Sequence, residues 1–291
     1  TLDLSTNTGL RIVNLNGNQL TGLDLSSNTL LTALSVRNNQ LSSIDLSNNI
    51  DLTELSLEGN LFNSIDIGNN VNLNSLGLNY NQLTSLDIGN NVNLSSLEAQ
   101  SNNIAEIDLS NNTMLTYLEI SNNPISSLGL SSNTLLTTLL ASDLLLTGID
   151  LSSNTLLTHV YVHENQIPSI DLTSNVNIEV LWVQENQIET IDVSTLPNLR
   201  HFEAHTNPLT SLDLTSNPNL TALYVAECEL TSIDVSNNPA LHSFSGFGNL
   251  LTSLDVSNNP ALEYFQLHGN LLTELDLSSN TALTRVAIEG N

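Results

Sequence analysis

The stretch LTALSVRNNQLSSIDLSNNID, residues 31–51, contains the pattern from which the fold follows. Leucine-type residues occupy its positions 1, 4, 6, 11, 14 and 16, and asparagine occupies positions 9 and 19. The alternation around positions 4 and 6 is typical of a short strand with one buried side, so positions 3, 5 and 7 are predicted to point outward. One such repeat cannot bury its own leucines, and neighbouring repeats must stack to form a continuous core.

The same pattern recurs through the whole chain at a spacing of 21 residues. Aspartate at position 15 marks this spacing, and each step is 21 residues except one of 42 that skips Gly129. The aspartates are Asp3, Asp24, Asp45, Asp66, Asp87, Asp108, Asp150, Asp171, Asp192, Asp213, Asp234, Asp255 and Asp276. Fourteen repeats without insertion or deletion predict a single solenoid domain over residues 1–291.

The first eleven positions read L-x-x-L-x-L-x-x-N-x-L and resemble the leucine-rich-repeat segment. The next ten nearly repeat it, so the chain is similar to bacterial leucine-rich repeats whose 21-residue unit is two nested half-repeats (the IRREKO type). It resembles internalin-type surface proteins more distantly. The resemblance implies a leucine-rich-repeat solenoid of the α/β-horseshoe class, mostly parallel β with very little helix, and a concave parallel sheet of about 14 short strands.

The resemblance also implies a bacterial protein that is secreted or lies at the cell surface. Both ends of the chain fall in mid-pattern, so we expect a fragment of a larger protein without its terminal caps. The sequence has no long uninterrupted apolar run, and no membrane insertion is expected within it.

The net charge of the chain limits the kinds of partner that it could bind. The chain carries 30 acidic residues against four basic ones, for a net charge of −26. Such a field repels phosphate backbones, so a nucleic-acid partner is not expected, whereas basic proteins, cations and neutral glycans remain open. Cys228 is the only cysteine, which excludes an intrachain disulfide, and it is predicted to be a buried thiol.

Three ladders of polar residues call for a structural explanation. Asparagine fills position 9 in 12 of 14 repeats and position 19 in 13 of 14, and we expect these side chains to satisfy backbone groups of their own and the next coil.

The outward-pointing aspartates of position 15 should repel one another. Hydrogen bonds from Ser hydroxyls or loop N–H groups are the favoured remedy, Ca²⁺ bound along the ladder is the alternative, and no other cofactor is expected.

The rare residue types concentrate on one face. All five Tyr, the single Trp and five of the six His fall at positions 3, 5, 7 and 8, the predicted concave face, mostly in repeats 7–13 counted from the leucine at residue 10. Tyr and Trp combine large apolar area with a polar group, which suits a recognition surface. The predicted binding residues are Leu140, His159, Tyr161, His163, Trp182, His201, Glu203, His205, Tyr224, Phe247, Tyr264 and His268. Position 8 adds an acidic rail, defined as Asp143, Glu164, Glu185 and Glu227.

The spacing of these residues argues against catalysis and chelation. His159 and His163 would lie about 13 Å apart on a strand, too far to share a metal ion, and the pair His201 and His205 is spaced in the same way. A set drawn from neighbouring strands, such as His163, Glu185 and His205, remains open. No nucleophile–base arrangement or phosphate loop appears, so neither an enzyme nor a dedicated metal site is expected.

The sequence therefore predicts a non-enzymatic recognition module that binds protein or peptide, or mediates adhesion, through the concave face of repeats 7–13. Tyr161 and Trp182 are the expected anchors, and the acidic rail favours a basic partner. A carbohydrate-binding surface on the same face and a structural spacer are the alternatives.

Overall fold

A computed structural model describes residues 2–291, which contain fourteen three-residue strands and no helix. The chain divides into two compact halves, Thr1–Leu146 and Thr147–Asn291. The strands of the N-terminal half are β1 Ile12–Asn14, β2 Ala33–Ser35, β3 Glu54–Ser56, β4 Ser75–Gly77, β5 Ser96–Glu98, β6 Tyr117–Glu119 and β7 Thr138–Leu140. Those of the C-terminal half are β8 His159–Tyr161, β9 Val180–Trp182, β10 His201–Glu203, β11 Ala222–Tyr224, β12 Ser243–Ser245, β13 Tyr264–Gln266 and β14 Arg285–Ala287.

Within each half, every strand pairs in parallel with the next strand along the chain. The register equals the repeat, since Ala33 pairs with Glu54 in the N-terminal half and His201 with Ala222 in the C-terminal half. Each strand therefore consists of positions 3, 4 and 5, and each repeat forms one coil of a parallel β-solenoid. The predicted leucine-rich-repeat fold is confirmed, with no helix in the described range where very little was expected.

The core is a stack of apolar side chains at positions 1, 4, 6, 11 and 16. In repeat 2 these are Leu31, Leu34, Val36, Leu41 and Leu46, all at most 1% exposed. Position 14 was predicted to be buried as well, but it is only partly so in several coils, because this side chain lies at the edge of the stack.

Aromatic rings replace the position-4 leucine in three repeats of the C-terminal half. Phe202, Phe244 and Phe265 are fully buried, and the centroids of the last two rings are 5.8 Å apart. Repeat 12 accommodates its ring by carrying Gly246 at the core position 6, where a β-carbon would come within 2.9 Å of Phe244 Cζ.

The asparagine ladders are buried and hydrogen-bonded, as predicted, but they connect each coil to the one before it. Asn60 Nδ2 donates to the carbonyls of Val36 and Leu57, and its Oδ1 accepts from the N–H of Leu41. Position 19 differs, because Asn49 Nδ2 donates to the preceding coil while its Oδ1 has no partner among residues 2–291. In this repeat the position-19 side chain therefore satisfies carbonyls alone.

The aspartate ladder is stabilised by local hydrogen bonds. In each of the thirteen repeats that carry it, Oδ1 accepts the backbone N–H two residues on, as in Asp24 with Ser26 at 2.9 Å. A hydroxyl adds a second bond in some repeats, such as Thr215 Oγ1 to Asp213 at 2.7 Å. These bonds lower the pKa of Asp24 and Asp213 below the ordinary value, since they favour the ionised form. Of the two remedies predicted, the hydrogen-bonded one is thus present.

Positions 7 and 8 differ from a simple alternation of buried and exposed residues. Position 7 was expected to point outward; its side chains are covered to different degrees, since Ser121, Gln184 and Ala226 are buried whereas His163 and His205 are half-buried. Position 8 adopts a left-handed backbone in all fourteen repeats, at φ between 49° and 70°, including nine that do not carry glycine. The chain turns away from the sheet at this residue and exposes its side chain.

Candidate recognition site

The position-5 row of the C-terminal half brings four predicted residues side by side. The parallel register places Tyr161 next to Trp182, Trp182 next to Glu203, and Glu203 next to Tyr224. All four are half-buried, and the rings of Tyr161 and Trp182 meet edge to face with centroids 4.8 Å apart. Edge-to-face contact is one of the two preferred arrangements of an aromatic pair, so the two rings stabilise each other's position.

Histidines fill the gaps between these rings. The His201 imidazole lies between Trp182 and Tyr224, with its centroid 5.5 Å from each ring. On the other side of Trp182, the His163 ring is 5.8 Å away, and His159 packs against Tyr161 at 6.4 Å. Six of the predicted residues therefore form one connected ring cluster, which we define as His159, Tyr161, His163, Trp182, His201 and Tyr224.

Glu203 places a carboxylate inside this ring cluster. Its side chain is 17% exposed, and Oε1 accepts a hydrogen bond from His201 Nε2 at 2.7 Å. Its second oxygen, Oε2, lies 4.0 Å from His205 Nε2, beyond hydrogen-bond distance. One carboxylate oxygen is thus used to orient an imidazole, while the other keeps its capacity to accept a bond.

Several polar atoms of this region are buried without a partner. Within the described chain they are Trp182 Nε1, His163 Nδ1 and Gln184 Oε1. Each buried polar group without a hydrogen bond lowers the stability of the folded state by about 1–3 kcal/mol, so these atoms destabilise the fold in this region. Burial also lowers the pKa of His163, although Glu164, Glu203 and Glu185 act in the opposite direction. Gln184 was missed by the sequence analysis, although its place in the position-7 row pointed to it.

The acidic rail lies beside the ring cluster on residues with a left-handed backbone. In the C-terminal half, Glu164, Glu185 and Glu227 have φ of 53°, 55° and 51°, and all three are exposed. Thr206, which interrupts the rail, donates a hydrogen bond from Oγ1 to Glu227 Oε2 at 3.3 Å, so it is linked to one member of the rail.

Two predicted residues belong to the N-terminal half. Leu140 ends β7 and is half-buried, and Asp143 follows it with an exposed side chain and φ of 49°. They occupy the same repeat positions as Tyr161 and Glu164, respectively.

The remaining predicted residues form a second, smaller group toward the C-terminus. Phe247 and His268 stack face to face, with centroids 4.4 Å apart and planes inclined by 8°. The Arg285 guanidinium lies over the Tyr264 ring at 5.1 Å. The predicted continuous strip is therefore resolved into the ring cluster and this second group, with the Tyr224 hydroxyl hydrogen-bonded to Ser243 Oγ at 2.9 Å between them.

Metal ligation is not supported by the arrangement of these side chains. Among residues 2–291, no group of three or more His, Cys, Asp or Glu side chains is positioned to hold a metal ion. The set of His163, Glu185 and His205, which the sequence left open, is not brought together for that purpose. The one thiol, Cys228, is buried, and burial raises its pKa to about 11, so it is protonated at neutral pH.

Comparisons with known proteins agree with this architecture. No protein-family model and no curated protein matches the chain. Among solved structures, the functional domain of InlJ from Listeria monocytogenes is 33% identical with a TM-score of 0.95, covering 96% of this chain and 63% of that one. The internalin InlF from the same species is 23% identical with a TM-score of 0.89, covering 96% of this chain and 86% of that one. The plant peptide hormone receptor RGFR1 was solved in complex with RGF2. It is 20% identical with a TM-score of 0.83, covering 99% of this chain and 56% of that one.

The fold and the repeat thus define the class: the chain is a leucine-rich-repeat protein. Within that class it is distantly internalin-like, and it spans less than two thirds of the InlJ chain. The described residues include no helix that could cross a membrane.

Proposed function

We propose that this chain is a non-enzymatic recognition module that binds a protein or peptide through the sheet face of its C-terminal half. The ring cluster carries this proposal, because it packs six half-buried rings side by side on the sheet. Rings fixed by their neighbours lose little entropy on binding, and Tyr and Trp dominate the energetics of protein interfaces.

The comparisons support the class of partner. RGFR1 has the same fold and was solved with the peptide RGF2, which favours a peptide or protein ligand for the sheet face of this chain too. The likeness to internalins favours a larger bacterial protein that is exported and acts at the cell surface, where the module would serve adhesion. The net charge of −26 favours a basic partner.

A selection experiment tests the proposal and reveals the chemistry of the partner at the same time. A random peptide library displayed on phage is panned against the chain, and a glycan array is probed in parallel. We expect peptides whose affinity falls at least about ten-fold for Trp182→Ala, since this removes the central ring of the cluster. The matched control is Tyr80→Ala, which removes a ring that is 60% exposed in the N-terminal half.

Two outcomes would contradict the proposal. Selected peptides that bind Trp182→Ala as well as the original chain would place the site elsewhere. Glycan binding that is lost in Trp182→Ala, with no peptide selected, would make the same face a carbohydrate site instead.

A further inference from the structure

We propose that protonation of histidines on the recognition face, defined as positions 3, 5, 7 and 8 of repeats 8–11, controls binding, so that a basic partner is held at neutral pH and released below about pH 6. This inference rests on the proposed function, because it specifies how binding at the ring cluster is regulated. Two features carry it: the placement of imidazoles beside carboxylates, and the burial of His163 against Trp182.

Imidazoles and carboxylates occur in equal number on the recognition face. Its four repeats hold four histidines and four glutamates at these positions, and no Lys, Arg or Asp. The formal charge is −4 with neutral imidazoles and zero when all four are protonated, since four positive charges offset four negative ones. Histidine ordinarily protonates near about pH 6.5, whereas glutamates ordinarily stay ionised above about pH 5. The residues are His159, His163, His201, His205, Glu164, Glu185, Glu203 and Glu227.

The two kinds of group are also close together in space. Glu203 lies between two imidazoles, with Oε1 2.7 Å from His201 Nε2 and Oε2 4.0 Å from His205 Nε2. His163 Nε2 is 3.8 Å from Glu164 Oε1. Protonation would therefore place each new positive charge beside a carboxylate that otherwise attracts a basic partner. The loss of attraction is local as well as a change of the total charge.

His163 couples this change of charge to the central ring of the cluster. Its side chain is 18% exposed, and its ring centroid lies 5.8 Å from that of Trp182. Among residues 2–291, its Nδ1 is buried without a hydrogen-bond partner. Protonation makes both ring nitrogens donors, and a buried donor without an acceptor is unfavourable. The protonated ring must therefore move away from Trp182 or admit water beside it.

The surroundings of His163 keep it neutral at neutral pH. Burial is the largest influence and lowers its pKa below the ordinary value. Glu164 of its own coil, Glu185 of the next coil and Glu203 of the coil after that act in the opposite direction. His205, which lies on the same coil as Glu203, lowers the pKa further. The ring against Trp182 is thus uncharged until the solution is acidic.

The single tryptophan reports on this coupling in the free chain. The indole N–H of Trp182 gives one cross-peak in a ¹H–¹⁵N spectrum, and we expect it to move as the pH is lowered from about 7.5 to about 5. His163→Asn cannot be protonated and should remove most of this movement. His242→Asn is the control, because His242 is exposed at position 2, with Nε2 3.1 Å from Glu263 Oε2.

A second variant avoids any change in the packing of the imidazole itself. Glu164 is exposed, and its charge raises the pKa of His163. Glu164→Gln should therefore shift the midpoint of the Trp182 titration to lower pH while leaving its amplitude unchanged. A Trp182 cross-peak that does not move between about pH 7.5 and about pH 5, or that moves equally in His163→Asn, would overturn the coupling.

The effect on binding is measured with peptides that are selected at about pH 7.5 and contain Lys or Arg but no His, so that their own charge stays constant. We expect their affinity to fall at least about ten-fold at about pH 5. In His163→Asn/His205→Asn the fall should be about three-fold or less, because two of the four titrating groups are removed. His242→Asn should keep the full pH dependence.

The outcome is separable from that of the proposed function. If selected peptides depend on Trp182 but bind equally at both pH values, the proposed function stands and its regulation by histidine falls. A pH dependence that is unchanged in His163→Asn/His205→Asn would have the same meaning. If selected peptides do not depend on Trp182, the proposed function fails and this inference fails with it.

Discussion

Asparagine at position 9 ties two coils together, and Cys228 shows what happens when it is replaced. In the adjacent repeats, Asn207 and Asn249 accept a backbone N–H through Oδ1 and donate to carbonyls of two coils. Cys228 instead contacts the carbonyls of Ala204 and Ala226 through sulfur, at 3.5 and 3.4 Å. Sulfur forms weaker hydrogen bonds than an amide, so this coil is held less firmly to the one before it.

Cys228→Asn is therefore expected to stabilise the protein by about 1–2 kcal/mol, since it replaces the weak sulfur acceptor of Leu209 N–H with an amide oxygen and adds two strong donors. Urea unfolding followed by circular dichroism measures the change. Cys228→Ala is the control and should destabilise slightly, because it removes packing without restoring a bond. A lower midpoint for Cys228→Asn would mean that the coil cannot accept the amide.

Glutamate at position 8 has a cost that glycine would not have. All fourteen residues at this position have positive φ, and five of them are glycine. Glu185→Gly is expected to stabilise the fold by about 0.5–1 kcal/mol, because glycine adopts this conformation without strain, while weakening the binding of a basic peptide. Ser101→Gly, at φ of 56° in the N-terminal half, should give a smaller gain without affecting binding, because it also removes the hydrogen bond that Ser101 Oγ accepts from Asn122 Nδ2. Parallel thermal melts and peptide titrations test this, and a loss of stability in both variants would contradict it.

At the scale of the strand, the sequence predicted the buried positions and the register but not how crowded the outer face is. The L-x-L alternation identified positions 4 and 6 correctly, because burial follows from the two-residue period of a strand. Position 7 follows the end of the strand, where neighbouring coils cover Gln184 and Ala226. No single-repeat pattern contains that information, since it depends on the side chains of the adjacent coils.

The ring cluster was predictable as a set of residues but not as a geometry. A 21-residue register necessarily places Tyr161 beside Trp182, so their contact followed from the repeat. The position of His201 between Trp182 and Tyr224 depends on rotamers, as does its hydrogen bond to Glu203. The separation of Phe247 and His268 into another group was readable from the sequence, because Ser243 and Ser245 occupy positions 3 and 5 of repeat 12.

The coil of repeat 12 offers a test of core packing in one element. Gly246→Ala is expected to destabilise the protein by about 1–3 kcal/mol, because the added methyl group would meet the buried Phe244 ring. Phe244→Leu in the same chain should recover part of the loss, since leucine is the usual residue at position 4. Unfolding midpoints of the single and double variants give the coupling. Additive losses would show that the ring and the glycine are not linked.

At the scale of the whole chain, the aspartate ladder makes the free energy of unfolding depend on pH. The pKa of each shifted carboxyl, such as Asp213, lies below its ordinary value mainly because the N–H and hydroxyl two residues on favour the ionised form. A carboxyl group whose pKa is lower in the folded chain than in the unfolded chain stabilises the fold when the pH is above its unfolded pKa. This contribution is lost as the pH falls through the pKa of the folded chain. Repulsion from neighbouring aspartates is a smaller influence and does not reverse the sign.

The contribution of the ladder to the free energy of unfolding should therefore be constant from about pH 7 to pH 5 and decrease below about pH 4, whereas the lowered pKa of His163 adds a separate loss of stability as the pH falls below about 6.5. Asp213→Asn keeps an acceptor for Thr215 but cannot ionise, so it should lower stability at neutral pH and reduce this slope, while the difference from the original chain disappears in acid. Urea titrations at stepped pH values measure both. A chain that becomes more stable on acidification would show that repulsion along the ladder outweighs its hydrogen bonds.

A protein or peptide partner is proposed to cover the ring cluster of the C-terminal half. Hydroxyl-radical footprinting tests it most directly, because aromatic side chains are oxidised according to their exposure and Tyr80, in the N-terminal half, serves as an internal reference. With a selected peptide bound, we expect slower oxidation of Tyr161, Trp182 and Tyr224 and an unchanged rate at Tyr80. Unchanged rates at those three residues in a saturated complex, with protection elsewhere on the chain, would contradict it.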